Sequence, residues 1–185
     1  MVASGSLSHQ LPGEPDIVVR VQQVGLHCST VAENVAEAPT AGQINDEWMH
    51  SEAHRANLLD PRVNTVGIAI VQHRGELYAV EDFARVVQSM TPPQQEAQVA
   101  SQLAKHGIRV RTGDKLASSY CGGTPSGTRP LPALVVRYST VDLSELPPRV
   151  AQGIGNGTYH SAEVGACNAA NQNGFTAYQI VILLY

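Results

Sequence analysis

The chain has 185 residues, of which 43% are apolar and only 15% charged, with a formal charge of −4. This is enough apolar material for one large core or two small ones, and the acidic balance offers no basic surface to track phosphates, so nucleic acid is excluded as a partner. No apolar run of about eighteen residues occurs, so no transmembrane helix is expected, and three cysteines are too few for a disulfide-built scaffold.

Met1–Ser6 is small and polar and leads directly into His9. Pro12, Gly13 and Pro15 make a turn, after which Asp16 is an N-cap for a helix over Ile17–Val24 that Gly25 stops. A short strand over Val31–Ala36 carries Glu33. Thr40-Ala41-Gly42-Gln43 has the form of a capping box and predicts a helix from Ala41, with Ile44, Trp48 and Ser51 on one face. Pro61 disfavours helical geometry at Asp60 and ends the element. An amphipathic helix anchored by Trp48 accounts for this periodicity but not for the polar run Ser51–Asn57. Two strands follow, Thr65–Gln72 and Glu76–Phe83, joined at His73-Arg74-Gly75. Both faces of the first are largely apolar, as expected of a strand in the inner layer of a three-layer sandwich, covered on both sides.

The character changes at Met90. Thr91 and Gln94 form a second capping box, opening a helix with an apolar stripe of Ala97, Ala100, Leu103 and Ala104 and ending at His106-Gly107. Ile108–Arg111 is a short strand, Gly113–Pro132 mostly loop, Ala133–Tyr138 a strand and Leu146–Ile154 a short helix. Tyr159–Cys167 and Phe175–Leu184 are paired strands around an Asn/Gly loop. The unbroken apolar run Ile180–Leu184 places the last of them centrally in its sheet.

Several motifs invite a chemical reading that their surroundings do not support. His50 and His54 are four apart, but in His-Ser-Glu-Ala-His the Glu is third, not second, unlike the zinc-protease helix; His50 reads as a solvated surface histidine. Gly122–Thr128 has glycines but no following Lys, so it is not a phosphate-binding loop. Asn156-Gly157-Thr158 fits a glycosylation sequon that matters only in a eukaryotic secretory pathway.

The run Trp48-Met49-His50-Ser51-Glu52-Ala53-His54-Arg55-Ala56-Asn57-Leu58-Leu59 resembles the signature of the bacterial branch of the CAP superfamily. That superfamily takes in cysteine-rich secretory proteins, insect venom antigens and plant pathogenesis-related proteins. Ala32-Glu33-Asn34-Val35-Ala36 resembles its Gly-Glu-Asn segment, and Ser8-His9-Gln10-Leu11-Pro12-Gly13 its Ser-His-x-x-Pro-x-Gly turn. Val66-Gly67-Ile68-Ala69 with Tyr78–Phe83 resembles its closing hairpin. Four motifs in sequence order over Ser6–Arg85 make the match specific, and it stops near Val87. The resemblance implies that residues 1–88 are a three-layer α-β-α sandwich without its first helix; residues 89–185 read from their own pattern as a small α/β domain that resembles no family, and the chain as a whole is α+β.

It also implies a cavity lined by His9, Glu33 and His54. Imidazoles and a carboxylate suit Zn²⁺ with one open position; equally, the three side chains could satisfy one another by hydrogen bonds. Ser51 stands where many members carry a fourth acid, with Glu52 next to it and Glu81 on the closing strand as substitutes. The implied function is an extracytoplasmic binding module for a divalent metal, a small polar ligand or an extracellular protein. The alternative is a peptidase or esterase in which metal-bound water attacks and Glu33 is the general base. With no nucleophile motif and the fourth acid missing, the binding module is the favoured reading, and no catalytic residue is assigned. Cys121 and Cys167 are expected to pair in an oxidising compartment, leaving Cys28 apart. Because relatives place a long helix before the Ser-His turn, and Met1–Gly5 resembles only its last turn, the coding region is expected to start upstream with an export signal.

Overall fold

A computed structural model describes residues 1–111, 115–125, 131–172 and 175–185, with the side chains of 171–172 left aside. The chain divides into two compact units, Met1–Gln88 and Ser89–Tyr185. Its mixture of helices with two separate sheets is α+β, as expected.

In the first unit, α1 (Ile17–Gln23) is capped by Asp16, whose carboxylate accepts from the Val19 N–H at 2.9 Å. β1 (Cys28–Ala38) follows, then α2 (Ala41–His50), α3 (Glu52–Leu58), β2 (Thr65–His73) and β3 (Glu76–Val86). The three strands form an antiparallel sheet in the order β1-β3-β2. α1 packs on β1 from the face that carries Glu33, and α2 and α3 from the opposite face, which carries Asn34, Ala36 and Ala38. Helices therefore stand on both sides of one sheet.

Thr40 caps α2 as the sequence predicts, its hydroxyl accepting from the Gln43 N–H at 3.3 Å. Ile44 and Trp48 are buried at 2% and 4% exposure against Ala36, Ala38 and Ala79. Ser51 is not the third member of that face. It is extended (φ −92°, ψ 121°) and breaks the helix in two, so the polar run becomes a separate helix, α3, with no buried residue.

The expectation for β2 fails. It is an edge strand, and Val66, Ile68, Ile70 and Val71 are about half exposed or more. What fails is the expected cover of its faces; β3 pairs on both sides, while β2 has one neighbour. The hairpin joining them pairs His73 with Glu76, leaving Arg74 (φ 51°) and Gly75 (φ 91°) as a two-residue turn. Two consecutive positive φ values match the right-handed twist of the flanking strands, which is why glycine occupies the second position.

The second unit contains α4 (Pro92–Lys105), β4 (Arg109–Arg111), α5 (Leu116–Ser119) with a 3₁₀ turn (Tyr120–Gly122), β5 (Leu134–Thr140), α6 (Pro148–Ile154), β6 (Ser161–Gln172) and β7 (Phe175–Leu184). Its sheet runs β4-β6-β7-β5, with β4 parallel to β6 and the other pairs antiparallel. β7 is central, and Ile180 to Leu184 are all at 1% exposure or less because helices cover both faces. Val99 and Leu103 of α4 with Val150 and Ile154 of α6 pack on Ile180, Ile182 and Leu184; Ala117 and Tyr120 pack on Val181 and Leu183.

Two expectations are corrected here. The buried stripe of α4 is Gln95, Val99, Gln102 and Leu103, whereas Ala97 and Ala104 are exposed. Helical spacing permits either set, and the larger side chains win the sheet-facing side because they remove more apolar area from water. The stretch read as loop contains α5 and the 3₁₀ turn, although its residues 112–114 and 126–130, like 173–174 in the Asn/Gly loop, lie outside the described residues. α5 sits directly on Gly165 of β6: a Cβ there would lie 2.4 Å from the Ser118 backbone nitrogen, so only glycine fits.

Candidate functional site

Glu33 is the centre of the first unit's polar cluster. Its side chain is only 6% exposed, and both carboxylate oxygens are engaged. His9 Nδ1 donates to Oε1 at 2.9 Å, and the Arg20 guanidinium of α1 donates to Oε2. Arg20 also lies 3.7 Å from Asp82 of β3, which stands opposite Glu33 in the strand register. The His9 ring is 61% exposed and the Arg20 side chain 28%, so the buried carboxylate reaches the surface through its two partners. Burial, then the hydrogen bond to Glu33, push the Asp82 carboxyl up to about 6, with Arg20 opposing the shift. Two carboxylates beside one guanidinium make the cluster sensitive to mild acid.

Asn34 points the other way from Glu33, because successive strand residues alternate. It is fully buried. Its Nδ2 donates to the His54 carbonyl at 3.1 Å, and its Oδ1 accepts from Asn57 Nδ2 at 2.9 Å. Asn57 Nδ2 also reaches the Glu33 carbonyl at 3.4 Å. These bonds hold α3 to β1 and account for the polar run that the apolar period left unexplained. In the contact with Asn34, His54 takes part through its backbone carbonyl rather than its ring.

The structure brings His9 and Glu33 together and places His54 on α3, which docks on β1 through Asn34 and Asn57. Among the described residues, no three His, Cys, Asp or Glu side chains are grouped so as to hold a metal ion. The donor set does not suit a resident divalent ion, because Arg20 already occupies the carboxylate that would bind it. Glu81, the substitute acid, lies opposite Asn34 in the register, and burial raises its pKa. Arg20 and Asp82 escaped the sequence reading. Asp82 was accessible through the hairpin register, but nothing local marks Arg20, which meets Glu33 only when α1 folds onto β1.

In the second unit, Cys121 of the 3₁₀ turn and Cys167 of β6 are joined by a disulfide, with their Cα atoms 5.6 Å apart. Cys28 is free and buried in the first unit. The bond ties the turn after α5 to the sheet on the face where Gly165 admits α5.

Residues 1–88 match the family model described as the cysteine-rich secretory protein family, CAP. That segment of the chain is a CAP superfamily domain, and a CAP domain is, in general terms, an interaction module. No curated protein and no solved structure matches the chain. Among the described residues, no helix is long and apolar enough to cross a membrane.

Proposed function

We propose that the CAP segment is an extracytoplasmic binding module whose ligand is a small polar molecule docking on the Glu33 cluster through the His9 ring and the Arg20 guanidinium. One observation carries this reading: a carboxylate only 6% exposed is linked to the surface by an exposed imidazole and a part-exposed guanidinium. Together they offer donors, positive charge and a fixed carboxylate within one small area. The extracytoplasmic setting is supported by the family description and by the Cys121–Cys167 bond, which persists where thiols are not kept reduced.

The hydrolase reading has less support. The Ser8 hydroxyl donates to the Gln10 carbonyl at 2.8 Å rather than pairing with His9, so no base-activated nucleophile is formed there. A divalent ion would reach Glu33 only by displacing Arg20 or His9.

Calorimetric titration of the whole chain and its His9→Ala variant, with Zn²⁺ and with a panel of small carboxylates, phosphates and sugars, tests the proposal beside peptidase and esterase assays. The expected result is a polar organic probe whose binding is lost in His9→Ala, without turnover. Zn²⁺ uptake abolished by His9→Ala or His54→Ala would make the site a metal centre. Turnover that disappears in a folded His54→Ala variant would establish the hydrolase instead.

A further inference from the structure

The second unit contains a cavity of about 550 Å³ between β5 and α6, within the range of about 300–1,000 Å³ typical of small-molecule sites. Leu134, Val136, Val150, Ile154 and Leu184 give it mainly apolar walls. Three features at this cavity are not explained by packing. Tyr138 lines it, and the Tyr138 hydroxyl is buried with no hydrogen-bond partner, a state that costs free energy until a polar group arrives. Arg149 of α6 lines it and is exposed, and among the described residues Arg149 makes no ion pair and no Asp or Glu lines the cavity. Gly153 lines it as well, with nothing within 4 Å of the place a Cβ would take.

The cavity changes character along β5. Tyr138 lies toward the end of the strand, away from Leu134 at its start and from Leu184, the register partner of Leu134. Arg137, Arg149, Gly153 and Ile154 are among the other residues that line it. The cavity thus offers a hydroxyl, arginines and a largely apolar wall.

We propose that this cavity binds an aliphatic carboxylate of the fatty-acid type. Its chain lies against Leu134, Leu184 and Ile154, and its carboxylate lies toward Arg149 and Tyr138. An extended peptide is disfavoured because its backbone polar groups would face apolar walls without partners. Burial raises the Tyr138 pKa, so the hydroxyl keeps its proton and donates.

The test is titration of the full chain with dodecanoate below its micellar concentration, with dodecanol and acetate as the tail-only and head-only probes. Dodecanoate is expected to bind, acetate not to bind, and dodecanol to bind more weakly. Gly153→Leu fills the open space while improving helix propensity at that position, so the variant keeps its melting temperature and loses about tenfold or more in dodecanoate affinity. Arg149→Ala is expected to weaken dodecanoate about two- to fivefold, the range for an exposed charge pair, and to leave dodecanol unchanged. Failure of the wild-type chain to bind dodecanoate overturns the proposal, as does equal binding by a folded Gly153→Leu variant. Equal affinity for dodecanol and dodecanoate overturns the assignment of the anionic head.

Discussion

β2 and β7 carry the same kind of sequence, continuous apolar runs rich in β-branched residues, yet they end in opposite environments. Ile182 of β7 is fully buried, whereas Ile68 of β2 is 60% exposed. The difference lies in their neighbours. β7 pairs on both edges and has helices over both faces, while among the described residues β2 pairs only with β3 and its apolar side chains are left about half exposed or more. An apolar strand states a demand for cover without stating whether the cover is met. In the first unit the tight packing lies near β1, where Trp48 and Ile44 sit, and polar bonds complete it.

The comparison can be broken first at the disulfide. Replacing Cys121 and Cys167 by Ser releases a cross-link spanning 46 residues, and the second unit is expected to lose about 4 kcal/mol, read from denaturant unfolding. The first unit should be unchanged, and the protein's single tryptophan, Trp48, reports on it alone. The two strands are then compared directly. Ile182→Ala should cost about 2–5 kcal/mol through lost burial and a residual cavity, whereas Ile68→Ala should stay within about 0.5 kcal/mol. Equal losses would show that β2 is covered in solution.

A third variant tests whether polar bonds do in the first unit what apolar contacts do in the second. Asn34→Ala leaves the His54 carbonyl and the Asn57 amide without their buried partner, at a cost of about 1–3 kcal/mol, visible in the Trp48 transition. The last variant concerns a pH dependence. The folded pKa of Asp82 is raised from 3.8 to about 6, so the folded state holds its proton more tightly than the unfolded one. Its contribution is therefore complete below about pH 4 and is lost as pH rises through about 6. The Trp48 unfolding midpoint should fall across that window in the wild type, and by less in Asp82→Asn.

Much of this could be read from the chain because it depends on neighbours within a few residues. The Thr40 and Thr91 caps, the Ile44–Trp48 face, the Asp16 cap and the two-residue hairpin at Arg74-Gly75 are local hydrogen bonds and dihedral preferences. The ordered motifs from Ser8 to Phe83 identified the CAP segment for a related reason, since each is a short piece with its own geometry. Other features depended on pairings that no local pattern encodes. Strand alternation sends Glu33 and Asn34 to opposite faces, so Glu33 meets His9 and Arg20 while Asn34 takes up the α3 backbone. Arg20 entered the cluster only because α1 folds onto the Glu33 face. The sequence alone determined where the capped helices α1, α2 and α4 begin and where the Arg74-Gly75 hairpin turns, because those are short-range energies. Tertiary structure decided which strand became the edge, which carboxylate met the guanidinium and which glycine had to stay bare, because each depends on the distant segment that packs there.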